Sequence, residues 1–229
     1  MVPCSYVAGA GHCPNVSSAV LDLMLYFDVI CVICTGKNCK RHESGYWRRD
    51  VQQKIYVMRR TYDFENKRLS NFNNHLQCVR RIHEYDTLLV LEDDVRPVAK
   101  HALTTNDVFQ IVRVLPNLGW DVVRLASYPR LFSWYHSATQ CSPECKCKSV
   151  TTRLCKIKGT CDMRNTEAYA VHKNAFSKFP HSYMGDLWYD QWLSQQNISQ
   201  FFVVPQVFVQ QIKQNEVYTT ERFQKKCMS

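Results

Sequence analysis

Glycine is scarce in this chain, and its scarcity excludes two common ways of binding a nucleotide. Only seven of the 229 residues are glycine. A dinucleotide-binding fingerprint needs three spaced glycines, and a P-loop needs a glycine ahead of a Gly-Lys-Ser/Thr triplet. Pro14 stands where a third glycine would follow Gly9 and Gly11, and Gly36-Lys37 is followed by Asn38. The sequence therefore contains neither motif.

Long apolar segments are also lacking. The longest, Ala19 to Thr35, is interrupted by Asp22 and Asp28 and is shorter than the roughly 20 residues that a membrane span needs. No basic n-region precedes it, as a signal peptide would require. We therefore expect no anchor or export signal in the residues given, although an upstream segment could have been lost.

The composition is that of a folded domain, with 45% apolar and 21% charged residues. Strand-like runs alternate with helix-like periodicity along the chain, which predicts an α/β fold with a mostly parallel sheet and helices on both faces. No repeat or linker is visible, so we predict one domain over residues 1–229. The strand patterns are 28–34, 54–58, 87–91, 120–125, 167–171 and 201–204. The first helix pattern follows Ser17-Ser18 and runs through Leu21, Met24 and Leu25, and the later ones are 65–85, 107–115, 173–179 and 186–195.

Positive charge is abundant, with 29 Lys and Arg against 20 Asp and Glu, a formal charge of +9. Many basic residues lie between Lys37 and Arg60, where they alternate with Tyr46, Trp47 and Tyr56. This alternation is typical of proteins that bind single-stranded nucleic acid. It equally suits a solvated basic face or a pocket for an anionic small molecule such as a nucleotide diphosphate, and charge alone leaves these alternatives open.

Twelve cysteines are present, five of them between Cys141 and Cys161. That segment has no hydrophobic period, so we predict an inserted loop at about 139–163. Disulfides are favoured over zinc because the total is even and paired CxxC knuckles are missing. Cys31 and Cys34 lie on a predicted strand, where their side chains point to opposite faces, and we expect them to be core thiols.

The sharpest local signal is Glu92-Asp93-Asp94, three carboxylates directly after the apolar run Leu88 to Leu91. Open α/β sheets bind ligands at the carboxyl ends of their strands. Adjacent carboxylates repel one another unless a cation compensates, and Mg²⁺ or Mn²⁺ suits them and also bridges diphosphate oxygens. A solvated acidic turn is the alternative, which the position after the strand disfavours.

The segment Leu88 to Val95 resembles the strand and acidic DXD-type motif of GT-A-fold glycosyltransferases, most closely glycosyltransferase family 25. Further elements resemble that family in the same order, over roughly residues 68 to 210. The Cys-rich loop departs from it. The supporting elements are Ser70 to Leu76, Trp120 to Leu125, Ala168 to Val171, Asp186 to Leu193, Val204 to Val207 and Gln210.

The resemblance implies a GT-A-like, Rossmann-type domain that transfers a sugar from a nucleotide-diphosphate donor, with a UDP-hexose favoured, to a hydroxyl of a glycan or protein. A bound Mn²⁺ or Mg²⁺ would neutralise the leaving diphosphate. Asp94 is the first choice as metal ligand. Glu92 would hold the ribose or join the metal site, and Asp93 would assist.

Other residues receive roles from the same resemblance. Lys67 and Arg68 would meet the diphosphate, although a solvated helix start is the favoured alternative for them. His75 would line the donor site, although a core histidine is an equal alternative. If the transfer inverts configuration, as we expect, a carboxylate must take the acceptor proton. Asp186 and Asp190 are the candidates, because a spacing of four residues places them on one helix face. A helix-capping Asp186 and an exposed Asp190 are the equal alternative.

The compartment follows from the cysteines and from two glycosylation sequons, Asn15 to Ser17 and Asn197 to Ser199. They favour the lumen of the secretory pathway (endoplasmic reticulum or Golgi), with the cytoplasm as the alternative. The rival function is a non-catalytic, basic, disulfide-stapled protein that binds nucleic acid or anionic glycan. The acidic triplet argues against this rival function, because three carboxylates at the ligand-binding edge of the sheet would not help a protein to bind a polyanion.

Overall fold

The structure is a computed structural model. It describes residues 16–34, 39–43, 47–60, 65–98, 103–126, 128–129, 146–158, 163–164, 166–183, 185, 187–204 and 206–210.

An eight-stranded sheet forms the centre of these residues, with the order β2-β1-β3-β10-β5-β11-β8-β7. Within the described chain, β10 and β8 run against the other six strands, so the predicted mostly parallel α/β sheet is confirmed. The strands are β1 (Val29–Cys34), β2 (Ile55–Arg59), β3 (Thr87–Glu92), β5 (Val122–Arg124), β7 (Lys146–Ser149), β8 (Leu154–Lys158), β10 (Ala168–His172) and β11 (Gln200–Val203).

Four short strands form two small antiparallel pairs beside the main sheet. β4 (Val95–Pro97) pairs with β12 (Phe208–Gln210), and β6 (Tyr128–Pro129) pairs with β9 (Met163–Arg164). β4 follows β3 after only two residues, Asp93 and Asp94, which form a turn. The chain therefore leaves the main sheet at the acidic triplet.

Six α-helices are described: α1 (Ser18–Tyr26), α2 (Cys39–Glu43), α3 (Arg49–Gln52), α4 (Lys67–Val79), α5 (Thr105–Val114) and α6 (Tyr189–Gln195). Three 3₁₀-helices add Arg80–Glu84, Leu115–Asn117 and Lys173–Lys178. Within the described residues no helix is long and apolar enough to cross a membrane.

Helices cover both faces of the sheet, as the sequence predicts. On one face α1 and α5 bury residues such as Leu23, Met24 and Ile111 against the sheet. On the other face α4 and α6 bury a second cluster that includes Phe72 and Trp192. The spacing of apolar residues along α4 produces this packing, and Asn66 caps the helix by accepting a hydrogen bond from the Leu69 amide (2.9 Å).

The structure corrects two predictions about cysteine. Cys31 and Cys34 do lie in opposite core clusters, but they are not free thiols: Cys31 is bonded to Cys78 and Cys34 to Cys39. Cys155, which lies in the segment where we favoured disulfides, is disulfide-bonded as predicted. The thiol prediction was wrong because strand alternation fixes only the face a cysteine occupies, and α4 and α2 supply a partner on each face.

The Cys-rich segment is also more regular than predicted. β7 and β8 form a hairpin that pairs antiparallel with β11 and extends the main sheet. Within the inserted segment that we predicted at about 139–163, these nine residues therefore form strands and not a loop. Its remaining cysteines Cys141, Cys145 and Cys161 lie outside the described residues.

Candidate functional site

The acidic turn lies at the carboxyl end of β3, beside the point where strand direction reverses. β3 runs parallel to β1 on one side and antiparallel to β10 on the other. The Glu92 amide donates to the Glu167 carbonyl (2.8 Å), which continues the β3–β10 ladder by one bond. Parallel sheets bind ligands at such an edge, so the turn occupies the position expected of a site.

His75 on α4 holds the first carboxylate of the turn. Its Nε2 lies 3.0 Å from Oε1 of Glu92, and its side chain is only 1% exposed, against 18% for Glu92. A carboxylate can only accept, so Nε2 carries the proton and donates to Glu92. His75, which we expected to line the donor site, is thus buried behind Glu92.

Two buried tyrosines fix the His75 ring. Nδ1 of His75 lies 3.2 Å from the Tyr169 hydroxyl, and the Tyr189 ring stacks on the imidazole at 4.6 Å between centroids and 8° between planes. Burial raises the pKa of both phenols. Both tyrosines therefore stay protonated across the physiological range, and Tyr169 is a neutral hydroxyl that can donate to Nδ1.

His42 on α2 holds the second residue of the turn from the opposite face. The Trp47 indole N–H donates to Nδ1 of His42 (3.2 Å). The ring proton therefore lies on Nε2, which donates to the Asp93 carbonyl oxygen (3.3 Å). His42 is fully buried and Trp47 nearly so.

A buried guanidinium lies beside this assembly. Arg124 on β5 is fully buried and donates from Nε to Oε1 of Gln200 (3.0 Å). Burial lowers the pKa of Arg124 to about 10, against the opposing attraction of the Asp190 carboxylate. Arg124 stays charged at neutral pH, and Asp190, a predicted catalytic carboxylate, supplies part of the balancing charge.

Helix α4 begins with the two basic residues that we predicted to bind a diphosphate. Lys67 and Arg68 are exposed in its first turn, and the Arg68 guanidinium lies 5.9 Å from the Trp188 ring centroid. β2 ends at Arg59 before α4 begins, so the helix starts on the carboxyl side of the sheet, where the acidic turn lies. This arrangement leaves both side chains accessible to an anion.

A metal cage is not preformed. Among the side chains that the structure describes, no group of three or more His, Cys, Asp and Glu is arranged to hold a metal ion. Mg²⁺ in phosphate-binding sites commonly takes one or two carboxylates and completes its shell with substrate phosphates and water. The donor set of Asp94 and Glu92 fits that mode of binding.

The basic and aromatic alternation of residues 37–60 does not form a stacking platform in the part of the chain that is described. Trp47 is 4% exposed, and its indole N–H is used by His42. Tyr56 is 39% exposed, but the Arg81 guanidinium covers its ring at 4.1 Å. Base stacking needs open aromatic faces, and these two rings do not supply them.

The structure brings some of the predicted site residues together. Glu92, Asp93 and His75 converge at the end of β3, while Asp186 lies outside the described residues. Helix α6 begins at Tyr189, three residues later than predicted. Sequence reasoning missed His42, Tyr169, Tyr189 and Arg124. Tyr169 and Tyr189 could have been noticed as polar residues within apolar patterns, but nothing local marks His42.

Comparisons with known proteins found similarity to solved structures but no match in sequence. No protein-family model matches it, and no curated protein matches it in sequence. Similar solved structures include A197 from STIV (TM-score 0.39, 14% identity, 79% of this chain and 83% of that one). They also include a glycosyltransferase involved in glycosylation of the major capsid of PBCV-1 (TM-score 0.41, 12% identity, 82% and 97%) and apo UDP-glucose pyrophosphorylase (TM-score 0.43, 8% identity, 81% and 76%). At these identities and scores, none of them assigns an activity to this chain.

Proposed function

We propose that the protein is a glycosyltransferase that moves a sugar from a nucleotide-diphosphate donor, with a UDP-hexose favoured, to a hydroxyl of a glycan or protein. The observation that carries the proposal is the acidic turn Glu92 to Asp94 at the carboxyl end of β3, beside the reversal of strand direction. Two buried histidines hold this turn. A solvated acidic turn would not require that support.

A divalent cation, Mn²⁺ or Mg²⁺, would be held by Asp94 with help from Glu92. When bound, it would supply positive charge to the leaving diphosphate. The other roles in binding the donor belong to side chains of the protein. Lys67 and Arg68, exposed at the start of α4, would attract the diphosphate, and the positive end of the helix dipole would add to their effect.

The proton of the acceptor hydroxyl needs a base if the transfer inverts configuration. We retain Asp186 and Asp190 as candidates. Asp190 faces the charge of the buried Arg124 guanidinium, so it has an electrostatic partner in the fold besides any catalytic role.

We propose a relationship to glycosyltransferase family 25, on the order of the motifs in the sequence. We also propose residence in the secretory lumen. Disulfides persist in oxidising compartments, and the described residues contain the bonds Cys31–Cys78 and Cys34–Cys39. Asn197, the acceptor of one sequon, is exposed.

The proposal is tested by measuring the melting temperature with a panel of nucleotide sugars, with and without Mn²⁺. We expect a shift with a UDP-sugar only when metal is present, because the diphosphate would complete the shell of the ion. Asp94→Ala should abolish both this shift and donor turnover while the protein remains folded.

Asp86→Ala is the matched control. Asp86 precedes the same strand at its amino end and is exposed, so its removal should leave the nucleotide-dependent shift intact. Retained metal-dependent binding and turnover in Asp94→Ala, with a native circular dichroism spectrum, would contradict the assignment.

A further inference from the structure

Two histidines form hydrogen bonds to the acidic turn, and they approach it from opposite faces of the sheet. His75 lies on α4, whose apolar residues belong to one core cluster. His42 lies on α2, where Cys39 and nearby Trp47 belong to the other. One histidine bonds the side chain of Glu92, and the other bonds the backbone of Asp93. The two histidines thus hold different parts of the turn, one a side chain and the other the main chain.

Each histidine is itself held by a second group. Tyr169 meets Nδ1 of His75, and Tyr189 stacks on its ring, so the imidazole can neither rotate nor tilt freely. For His42, Trp47 alone provides both the hydrogen bond and the stacking contact. Its indole N–H donates to Nδ1, and its ring stacks on the imidazole at 6.1 Å between centroids. For His42 the Trp47 donor sets the tautomer, with the proton on Nε2. For His75 the accepting Glu92 carboxylate sets the same tautomer, and the Tyr169 hydroxyl can donate to Nδ1.

The supporting elements are also covalently tied to one strand. Cys31–Cys78 joins β1 to α4, the helix of His75. Cys34–Cys39 joins β1 to α2, the helix of His42. β1 is the parallel neighbour of β3, which carries the turn. A shift of either helix relative to the turn would therefore strain a disulfide as well as a hydrogen bond.

We propose that His42 and His75 are positioning residues that fix the acidic turn by donating hydrogen bonds from Nε2, His75 to the Glu92 carboxylate and His42 to the Asp93 carbonyl. They form a histidine clamp that orients the carboxylates for a metal-bound diphosphate, and this last step rests on the proposed function. Outer groups that orient ligating carboxylates are commonly worth about 10- to 100-fold in metal affinity.

The clamp is tested first without any ligand. Long-range ¹H–¹⁵N correlation spectra of the imidazoles should show the Nε2–H form for both histidines. Amide hydrogen exchange over residues 92–94 should accelerate in His75→Leu and His42→Leu. It should stay near the wild-type rate in His75→Gln and His42→Gln, because the glutamine amide nitrogen lies as many bonds from Cβ as Nε2 does. His83→Leu is the control, since His83 is 62% exposed.

The second arm measures Mn²⁺ affinity by electron paramagnetic resonance in the presence of UDP. His75→Leu should weaken binding about 10- to 100-fold, and His75→Gln should stay within about threefold of wild type. Each variant is first checked for a cooperative melting transition, and the Gln variants report if a Leu variant fails to fold.

The two arms separate the two ideas. Unchanged amide exchange at the turn in the folded Leu variants, or an Nδ1–H form of either ring, would overturn the clamp. If wild type binds no Mn²⁺ with UDP, the proposed function fails, and the exchange data still decide on the clamp. If exchange accelerates in His75→Leu but Mn²⁺ affinity is unchanged, the orienting role toward the metal is overturned.

Discussion

Arg124 shows how a single residue sets the charge balance near the site. It is fully buried in the middle of the sheet, where an unpaired charge is costly. Gln200 accepts from Nε, the Ser194 hydroxyl lies at 3.5 Å from a terminal nitrogen, and Asp190 provides negative charge. Arg124 remains protonated near neutrality, so its positive charge must be balanced, and Asp190 contributes to that balance. The carboxylate therefore has a structural role whatever its catalytic one.

This role of Asp190 gives a prediction. Asp190→Asn should lower the free energy of unfolding by about 1–3 kcal/mol, because it leaves a buried guanidinium with less compensating charge. Urea unfolding monitored by tryptophan fluorescence would measure the change. In the background Arg124→Met the same substitution should cost much less, since the charge it balances is gone. Equal losses in both backgrounds would show that the two residues are not coupled.

At the scale of elements, the long and periodic segments were predictable and the short ones were not. Helix α4 and strand β3 follow from apolar spacing in the sequence. α2 and α3 have five and four residues, too few for a period to be read. β7 and β8 alternate lysine with cysteine and other residues, and pairing with β11 makes them strands. The clamp residue His42 was therefore beyond sequence reasoning, because its contact with Asp93 spans 51 residues.

Helix α5 carries a prediction about acid. Thr104 and Asp107 form a capping box at its start, and Arg153, next to β8, donates to Asp107 (3.0 Å). Burial alone would raise the pKa of the Asp107 carboxyl, but hydrogen bonds from Thr104 and Arg153 outweigh it and lower the pKa below its usual value. The ionised form is thus stabilised by folding. Its contribution is present above the unfolded-state pKa and is lost as the pH falls through the lower folded-state pKa.

Asp107→Ala should consequently cost about 1–2 kcal/mol of unfolding free energy at pH 7. The difference from wild type should shrink as the pH falls below about 4, where wild type loses the same interaction. Urea titrations at several pH values would measure it, with exposed Glu84→Ala as the control. A difference that stays constant down to the acid limit would rule out an electrostatic origin.

At the scale of the whole molecule, β1 is the strand that disulfides join to helices on both faces of the sheet. Both disulfides between named partners start on it, one toward each core cluster. They close chain segments of very different length, with sequence separations of 47 and 5 residues. In the chain-entropy description the longer loop gives the larger stabilisation, about 4 kcal/mol against about 2 kcal/mol.

The two bonds should therefore differ in what they control. Removing Cys31–Cys78 by paired alanine substitution should cost about 4 kcal/mol of unfolding free energy, and removing Cys34–Cys39 about 2 kcal/mol. The shorter bond anchors α2, so its loss should nevertheless accelerate amide exchange over residues 92–94 as strongly as His42→Leu does. Titration of the unreduced, denatured protein should find no more than six free thiols among the twelve cysteines, because five named cysteines and the partner of Cys155 are bonded. Twelve free thiols, or equal costs for the two removals, would mean that β1 does not tie the two faces together in this way.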